Sequence, residues 1–173
     1  MPFINGLITA DGPIIEIFIG PSTPRAAALK AAGQQAPNPV PARALIDTGA
    51  SGTVIDKRVI QKLGLAPTGS VAMHTPSTGS APQICYQYDV AIWFIQPQMQ
   101  PRFHLMSMTI PVIESDFSAH SIQALVGRDL LSRCMLFYNG STSTFAVLLK
   151  PGIADWAFRS ASLEPISKCL CFP

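Results

Sequence analysis

The chain is poor in charged residues and in long apolar segments. Charged residues make up 13% of the 173 residues, and the 12 Lys and Arg are scattered along the sequence. This distribution excludes the clustered basic face of a nucleic-acid-binding protein. Apolar runs such as Val90–Ile95 are too short to cross a bilayer. We therefore expect no nucleic-acid partner and no stable membrane insertion.

Cysteine is scarce as well. Four irregularly spaced cysteines do not suit a disulfide framework: Cys85, Cys134, Cys169 and Cys171. The first two lie in apolar runs and are expected in the core. The last two could bind a metal, carry a lipid or belong to a mobile tail, and the tail is favoured because no further ligands stand at metal-site spacing. No metal and no cofactor are expected.

The N-terminus lacks the basic stretch and the long apolar core of a secretory signal, so a cytoplasmic location is the expectation. The sequence also lacks the motifs of two other classes of hydrolase. A serine hydrolase would need Gly-x-Ser-x-Gly, and the segment Gly49–Thr53 misses the final Gly. A cysteine protease would need a Cys in an activating setting, whereas Cys85 and Cys134 lie in apolar runs.

Short apolar segments separated by Gly, Pro, Ser and Thr are abundant, with 16 prolines in all. This pattern predicts an all-β fold with closely spaced turns. Short helices are expected at Lys57–Leu63, between an Asp56 N-cap and Gly64, and at Arg128–Arg133. The expected strands are Pro2–Thr9, Pro13–Gly20, Ala42–Ile46, Gly52–Ile55, Val71–His74, Gln83–Ile95, Arg102–Ile110, Gln123–Val126, Met135–Tyr138 and Thr144–Leu149.

The predicted organisation is one domain over residues 1–150. A Pro-rich and Ala-rich insertion at 21–41 interrupts it, and its stretch Arg25–Ala32 could form a short helix. Residues 151–173 form a C-terminal extension. We expect this extension to pack on the domain or to serve as an interface, because it carries large apolar residues: Trp156, Phe158 and Phe172.

The segment Asp47–Ser51 (Asp-Thr-Gly-Ala-Ser) carries the most chemical information. It follows the apolar run Ala44–Ile46, so it predicts a carboxylate on a tight Gly turn at the end of a buried strand. Paired carboxylates about 3 Å apart share one proton, and such a pair activates a water for peptide hydrolysis. An exposed turn would also favour Asp and Gly, so the triplet alone does not decide the function.

About 75 residues later the chain reads Ala-Leu-Val-Gly-Arg-Asp-Leu-Leu, over 124–131. Together the two segments resemble the retropepsins, the single-lobe aspartic proteases of retroviruses and their relatives. In that family an apolar strand ends in Asp-Thr/Ser-Gly-Ala, and an apolar run followed by Gly-Arg-Asn/Asp-Leu-Leu comes near the C-terminal end. The resemblance covers residues 13–150 and implies a single-lobe acid-protease barrel.

The resemblance implies a role for each residue of the first motif. Asp47 would be the catalytic acid and base. Thr48 would hydrogen-bond across a two-fold axis, and Gly49 would offer its carbonyl to the substrate backbone. Ala50 and Ser51 follow because the site is crowded.

The second motif would support the catalytic turn from behind. Leu125, Val126 and Gly127 would pack against it, and Arg128 would start a short helix and tie the region together through its guanidinium. In many viral members an Asp at the position of Ser51 pairs with that Arg. In this sequence the partner of the Arg128 guanidinium is not decided, and the two candidates are Asp129 and Asp56.

Family members cover the substrate with a hairpin called the flap. The segment Val71–Tyr88 is placed to supply it, with small and polar residues at its tip: Thr75, Pro76, Ser77, Thr78 and Gly79. A plain surface hairpin explains the same composition.

The chain carries the Asp-Thr-Gly triplet once, whereas the chemistry needs two carboxylates. The sequence therefore predicts an aspartic endopeptidase that acts on extended peptides or proteins as a homodimer, with Asp47 facing its own copy. The alternative is a catalytically silent module of the same family that binds peptides or dimerises.

Overall fold

The computed structural model describes residues 3–73, 82–95 and 104–149, which form ten strands and three helices. The helices are α1 (Thr23–Ala31), α2 (Lys57–Lys62) and α3 (Arg128–Leu131). The strands are β1 (Phe3–Thr9), β2 (Gly12–Pro21), β3 (Val40–Ile46), β4 (Val54–Asp56), β5 (Gly69–Met73), β6 (Gln83–Ile95), β7 (His104–Ser115), β8 (Ala124–Val126), β9 (Cys134–Asn139) and β10 (Thr144–Leu149).

Six of the strands in this part of the chain close into a barrel. Neighbours around it are β2, β3, β8, β4, β7 and β6, and β6 pairs back onto β2. The closing pair is antiparallel and runs from Ile17 opposite Phe94 to Pro21 opposite Val90. Closure removes the exposed edges that an open sheet would present. The predicted all-β fold is confirmed.

The apolar core fills the barrel because alternate residues of each strand face inward. On β2, Ile15, Ile17 and Ile19 are buried while Glu16 is exposed. The central part of β6 contributes a continuous buried stretch from Val90 to Ile92. The barrel is thus a packed core and not a channel.

Strands β3 and β8 are parallel neighbours, with Leu45 opposite Leu125 and Ile46 opposite Val126. Parallel strands end at the same edge of a sheet, so the segments that follow them meet there. These segments are the two motifs of the sequence. On its other edge β8 pairs with β4, which aligns Val54 with Leu125.

The helices begin and end with local signals. Helix α2 starts at Asp56, whose carboxylate accepts a hydrogen bond from the Arg58 N–H, and it is followed by Gly64 at φ 57°. The Asp56 cap and the Gly64 stop are as predicted. Helix α1 starts after Ser22, whose hydroxyl accepts from Arg25 N, and it lies within the 21–41 segment without burying a residue.

Strands β1, β10 and β9 form a sheet outside the barrel. β1 pairs with both β2 and β10, and β10 pairs with β9, all antiparallel. One face of this sheet packs inward through Ile4, Phe145 and Val147. At Gly6 a side chain would collide with the Phe145 ring, which lies 2.8 Å from the position of a Cβ.

Strand β7 continues five residues beyond the expected end at Ile110. The expected end was wrong, because the strand continues through Pro111, a residue type that is uncommon inside sheets. Pro111 stands opposite Asp89 of β6, and the second neighbour β4 pairs with β7 only from Ile113 onwards. The missing N–H of Pro111 therefore removes no bond to β4.

Several predicted features lie outside the described residues: the hairpin tip at 75–79 and the C-terminal extension with Cys169 and Cys171. Of the cysteines that the structure describes, Cys85 is buried and Cys134 is half-buried. Within the described ranges, no helix is long and apolar enough to cross a membrane.

Candidate active site

Asp47 stands immediately after β3, at the edge where β3 and β8 end together. Its N–H donates to the carbonyl of Val126 at 3.0 Å, which extends the β3–β8 pairing by one step. Val126 is buried, and Asp47 itself is half-buried. The end of the second motif therefore fixes the backbone position of the carboxylate.

The Asp47 carboxylate is held by its own turn. Oδ1 accepts hydrogen bonds from the N–H of Gly49 at 2.8 Å and of Ala50 at 3.3 Å. Two N–H donors on one oxygen fix its position. Within the described part of the chain, Oδ2 has no hydrogen-bond partner. One oxygen is therefore anchored and the other is left for a reactant.

The turn leaves little room for a side chain at Gly49. A Cβ at Gly49 would lie 3.1 Å from Asp47 Oδ1, which is tighter than ordinary van der Waals contact. A side chain there would press on the oxygen that the turn holds.

Arg128 links the second motif to the turn that carries Asp47. Its backbone N–H donates to the carbonyl of Ala50 at 3.0 Å. Its guanidinium Nη1 lies 3.3 Å from the carbonyl oxygen of Thr48 and 3.5 Å from that of Gly49. In the described structure, the partners of this guanidinium are main-chain oxygens of the turn. Neither of the two expected carboxylates, Asp129 and Asp56, binds it.

Asp129 instead binds Thr53, a buried residue that the sequence analysis did not select. Thr53 N–H donates to Asp129 Oδ2 at 2.9 Å, and Thr53 Oγ1 donates to Asp129 Oδ1 at 2.7 Å. Thr53 Oγ1 in turn accepts from the N–H of Gly127 at 3.2 Å. The Thr53 hydroxyl therefore joins two residues of the second motif to the segment that follows the Asp47 turn. A buried Thr just after the turn was the available signal, since such a hydroxyl requires a partner.

Gly127 lies directly against the backbone that leads from the turn into β4. A Cβ at Gly127 would lie 2.4 Å from the carbonyl oxygen of Gly52 and 3.0 Å from the nitrogen of Thr53. Its φ of −88° suits any residue, so the requirement for glycine here is one of space. The second motif is therefore in direct contact with the backbone that follows the first motif.

The Asp56 side chain holds the C-terminal end of β4 in place through hydrogen bonds. Its buried carboxylate accepts from the Arg58 N–H, Nε and Nη2 at 2.7–2.9 Å and from Phe117 N–H at 3.0 Å. The hydrogen bonds from Arg58 lower the pKa of Asp56, against the opposing effect of burial. The carboxylate is thus fully used by Arg58 and Phe117.

The sequence pattern of the aspartyl protease family matches residues 37–130, more than half of the chain. The chain belongs to the aspartyl protease family. The recognition made from the two motifs is thereby confirmed. A retropepsin-like aspartic protease from Rickettsia conorii is similar in structure, with 18% identity, a TM-score of 0.48, and coverage of 84% of this chain and 90% of that chain. No curated protein matches the sequence.

The other predicted site residues of the two motifs differ in their exposure. Thr48 and Ser51 are exposed, Ala50 is half-buried, and Leu125 is half-buried between β3 and β4. The hairpin of β5 and β6 is described up to the pair of Met73 and Gln83. The predicted flap tip at 75–79 lies beyond that pair and outside the described residues.

The described part of the chain brings together one candidate catalytic carboxylate and the residues that support it. Asp129 and Asp56 each accept three or more hydrogen bonds from other groups. Among the described residues, no group of three His, Cys, Asp or Glu side chains could hold a metal ion. The site can therefore present a single fixed carboxylate, Asp47, at an accessible edge.

Proposed function

We propose that the chain is an aspartic endopeptidase that works as a homodimer, with the Asp47 carboxylates of two copies forming one catalytic pair. The observation that carries the proposal is the state of Asp47. Its Oδ1 is fixed by Gly49 and Ala50, whereas its Oδ2 has no partner in the described part of the chain. This is the preorganisation that a catalytic carboxylate needs.

A second copy is proposed as the source of the other carboxylate because the nearby acids already have partners. Asp129 is bound by Thr53, and Asp56 is bound by Arg58 and Phe117. Moving either one to Asp47 would leave buried donors unpaired, at a cost of about 1–3 kcal/mol for each donor. A two-fold axis beside the turn brings a second Asp47 without breaking these bonds.

The proposed chemistry follows from two carboxylates in close contact. Like charges about 3 Å apart cannot both ionise, so the pair holds one proton. The ionised Asp47 takes a proton from a water held between the two, and that water attacks the peptide carbonyl carbon. The protonated Asp47 donates a hydrogen bond to the carbonyl oxygen as negative charge develops on it. The C–N bond of the tetrahedral intermediate then breaks, and the Asp47 carboxyl that took the proton from water gives it to the leaving amine. The pair titrates as a unit, so its apparent pKa values belong to both residues.

The proposed substrate is an extended peptide or protein segment with apolar side chains beside the cleaved bond. An extended backbone can hydrogen-bond to main-chain groups along the cleft. The carbonyl of Gly49 is a candidate acceptor, since a carbonyl has two lone pairs and the contact with Arg128 Nη1 is long, at 3.5 Å. The β5–β6 hairpin, with its tip at 75–79, is the proposed cover.

Peptide cleavage at acidic pH, lost in Asp47→Asn, tests the activity. Asn keeps a side-chain oxygen that can accept hydrogen bonds from Gly49 and Ala50. The free energy of unfolding of the variant should therefore remain within about 1 kcal/mol of the wild-type value. Cleavage should fall at least about a thousandfold. A wild-type dimer that cleaves no peptide between acidic and neutral pH would leave the alternative, a silent module that binds peptides or dimerises.

A mixing experiment tests the shared site. When wild type and Asp47→Asn are mixed in equal amounts and allowed to exchange, activity per wild-type chain should fall to about half, because half of its partners are inactive. Sedimentation should show dimers under the same conditions. Full activity per wild-type chain in the mixture, or an active monomer, would contradict the shared site.

A further inference from the structure

The sheet of β1, β10 and β9 has an apolar face that the described structure leaves uncovered. Cross-strand partners share a face of a sheet. The pairs Phe3–Leu148 and Leu148–Met135 therefore place three apolar residues in one row. The next rows follow from the same register, and together they make up what we call the outer face: Phe3, Asn5, Leu7, Thr144, Ala146, Leu148, Met135, Phe137 and Asn139.

The outer face exposes large apolar side chains next to one another. Leu7 is 69% exposed, Phe137 54%, Met135 49% and Phe3 44%. The opposite face is buried through Ile4, Phe145 and Val147. A groove of about 590 Å³ runs over the outer face between Leu7 and Phe137. Adjacent exposed apolar groups of this kind mark a surface that another segment or protein covers.

We propose that the C-terminal residues 150–173 of the same chain pack on the outer face. The first support is position. Strand β10 ends at Leu149, and Leu148 stands in the row between Phe3 and Met135. The segment therefore begins at the border of the face that it would cover.

The second support is length. Strands in a sheet lie about 4.8 Å apart, so the three strands span roughly 10 Å. An extended chain covers about 3.3 Å for each residue. The 24 residues from Lys150 to Pro173 can cross this distance several times, even with turns.

The third support is chemistry. The segment carries large apolar residues throughout its length: Ile153, Trp156, Phe158, Leu163, Ile166, Leu170 and Phe172. The outer face holds apolar residues and uncharged polar ones, Asn5, Thr144 and Asn139, so it presents no charge that would oppose them. Burial of apolar surface on both sides would stabilise the docked segment.

Limited trypsin digestion of the full chain tests the proposal, with cleavage after Arg159 followed by mass spectrometry. The rate of cleavage after Arg159 in the wild-type chain and in each variant is divided by the rate for a synthetic 150–173 peptide of the same sequence. The peptide should be cut at least about tenfold faster than the intact chain, because cleavage needs an exposed and mobile backbone. Phe137→Asp should remove this protection.

Tyr138→Asp is the matched control. Tyr138 neighbours Phe137 on β9, is 60% exposed and stands opposite Phe145, so it belongs to the other face. Trp156→Ser is the second variant, since it leaves the sheet itself untouched. It should expose Arg159 as Phe137→Asp does, whereas Tyr138→Asp should keep the wild-type rate within about twofold.

Three results would overturn the proposal. One is cleavage of wild type at the peptide rate. Another is equal exposure of Arg159 in Phe137→Asp and Tyr138→Asp, which would indicate general destabilisation. The third is protection that grows with protein concentration over about a hundredfold range, because a second copy would then cover the face. None of these readouts depends on catalysis, so the result stands apart from the proposed protease activity.

Discussion

Thr53 and Asp129 are joined by a two-point contact across 76 positions of the sequence: Thr53 N–H donates to one carboxylate oxygen at 2.9 Å, and Thr53 Oγ1 donates to the other at 2.7 Å. Leu130 N–H adds a third bond, at 2.8 Å to Oδ1. The contact holds the first turn of α3 against the segment that leads from the Asp47 turn into β4. It therefore holds the site in place without touching Asp47.

Thr53→Val tests this contact. Valine keeps the shape of the side chain and removes the hydroxyl, so the buried N–H of Gly127 loses its acceptor. We expect a loss of about 2–3 kcal/mol in the free energy of unfolding, because a buried donor is left unpaired. Urea denaturation at neutral pH measures it. Thr53→Ser retains the hydroxyl and should lose about 1 kcal/mol at most; an equal loss in both variants would contradict the role of the hydroxyl.

Gly127→Ala tests the close approach of the two motifs. The new Cβ would lie 2.4 Å from the Gly52 carbonyl oxygen, so the backbone on one side has to move. We expect a loss of about 1–3 kcal/mol in stability, as in other overpacked sites. Peptide cleavage should fall further than stability alone explains, because Gly52 is three positions from Gly49 in the turn.

Gly52→Ala is the matched control for that substitution. A Cβ at Gly52 would meet no atom within 4 Å. Its stability should therefore match wild type within about 0.5 kcal/mol. If thermal denaturation showed Gly127→Ala to be as stable as Gly52→Ala, the steric argument would be wrong.

Much of the fold could be predicted because its signals are local. The ten strands follow from short apolar runs between turn residues, and the ends of α2 follow from Asp56 and Gly64. The position of Asp47 after a strand also follows from its neighbours in sequence. Each of these features depends on residues a few positions apart.

The features that sequence reasoning missed depend on contacts between distant residues. Arg128 could have bound a carboxylate, and only the folded chain shows the carbonyls of Thr48 and Gly49 within its reach. Thr53 gave no sign of its partner Asp129, because the pair comes together only when β4 and β8 become neighbours. Pro111 likewise ended a predicted strand that its neighbours in the barrel allow to continue.

Asp56 gives the protein a defined response to acid. Its pKa is lowered in the folded state by the hydrogen bonds from Arg58, so its contribution is complete above the unfolded pKa, about 3.9. The contribution is lost as the pH falls through the lower folded value. The buried contact should thus survive at the moderately acidic pH where a carboxylate pair is active.

Asp56→Asn measures that contribution. An amide offers one acceptor oxygen in place of two, so we expect a loss of about 2–3 kcal/mol at pH 7. The difference from wild type should shrink below about pH 4, where Asp56 of the unfolded chain takes up a proton before Asp56 of the folded chain does. Urea denaturation from pH 3 to pH 7 provides the measurement. A difference that stays constant over this range would show that the charge of Asp56 makes no contribution.

Arg128 offers a way to separate activity from stability. Its exposed guanidinium donates to the carbonyls of Thr48 and Gly49, whereas its backbone N–H binds Ala50 in any variant. Arg128→Ala should therefore lose less than about 1 kcal/mol in stability. The turn that carries Asp47 would lose a brace, and we expect kcat to fall about tenfold or more with KM little changed.

Arg128→Lys and Lys62→Ala complete that test. Lysine has the charge, but its shorter side chain ends in an ammonium and not in a planar guanidinium, so it should recover only part of kcat. Lys62 is an exposed cation at the end of α2, and its removal controls for the loss of one positive charge. If Lys62→Ala lowered kcat as much as Arg128→Ala, the effect would come from net charge, and the bracing of the catalytic turn by Arg128 would be excluded.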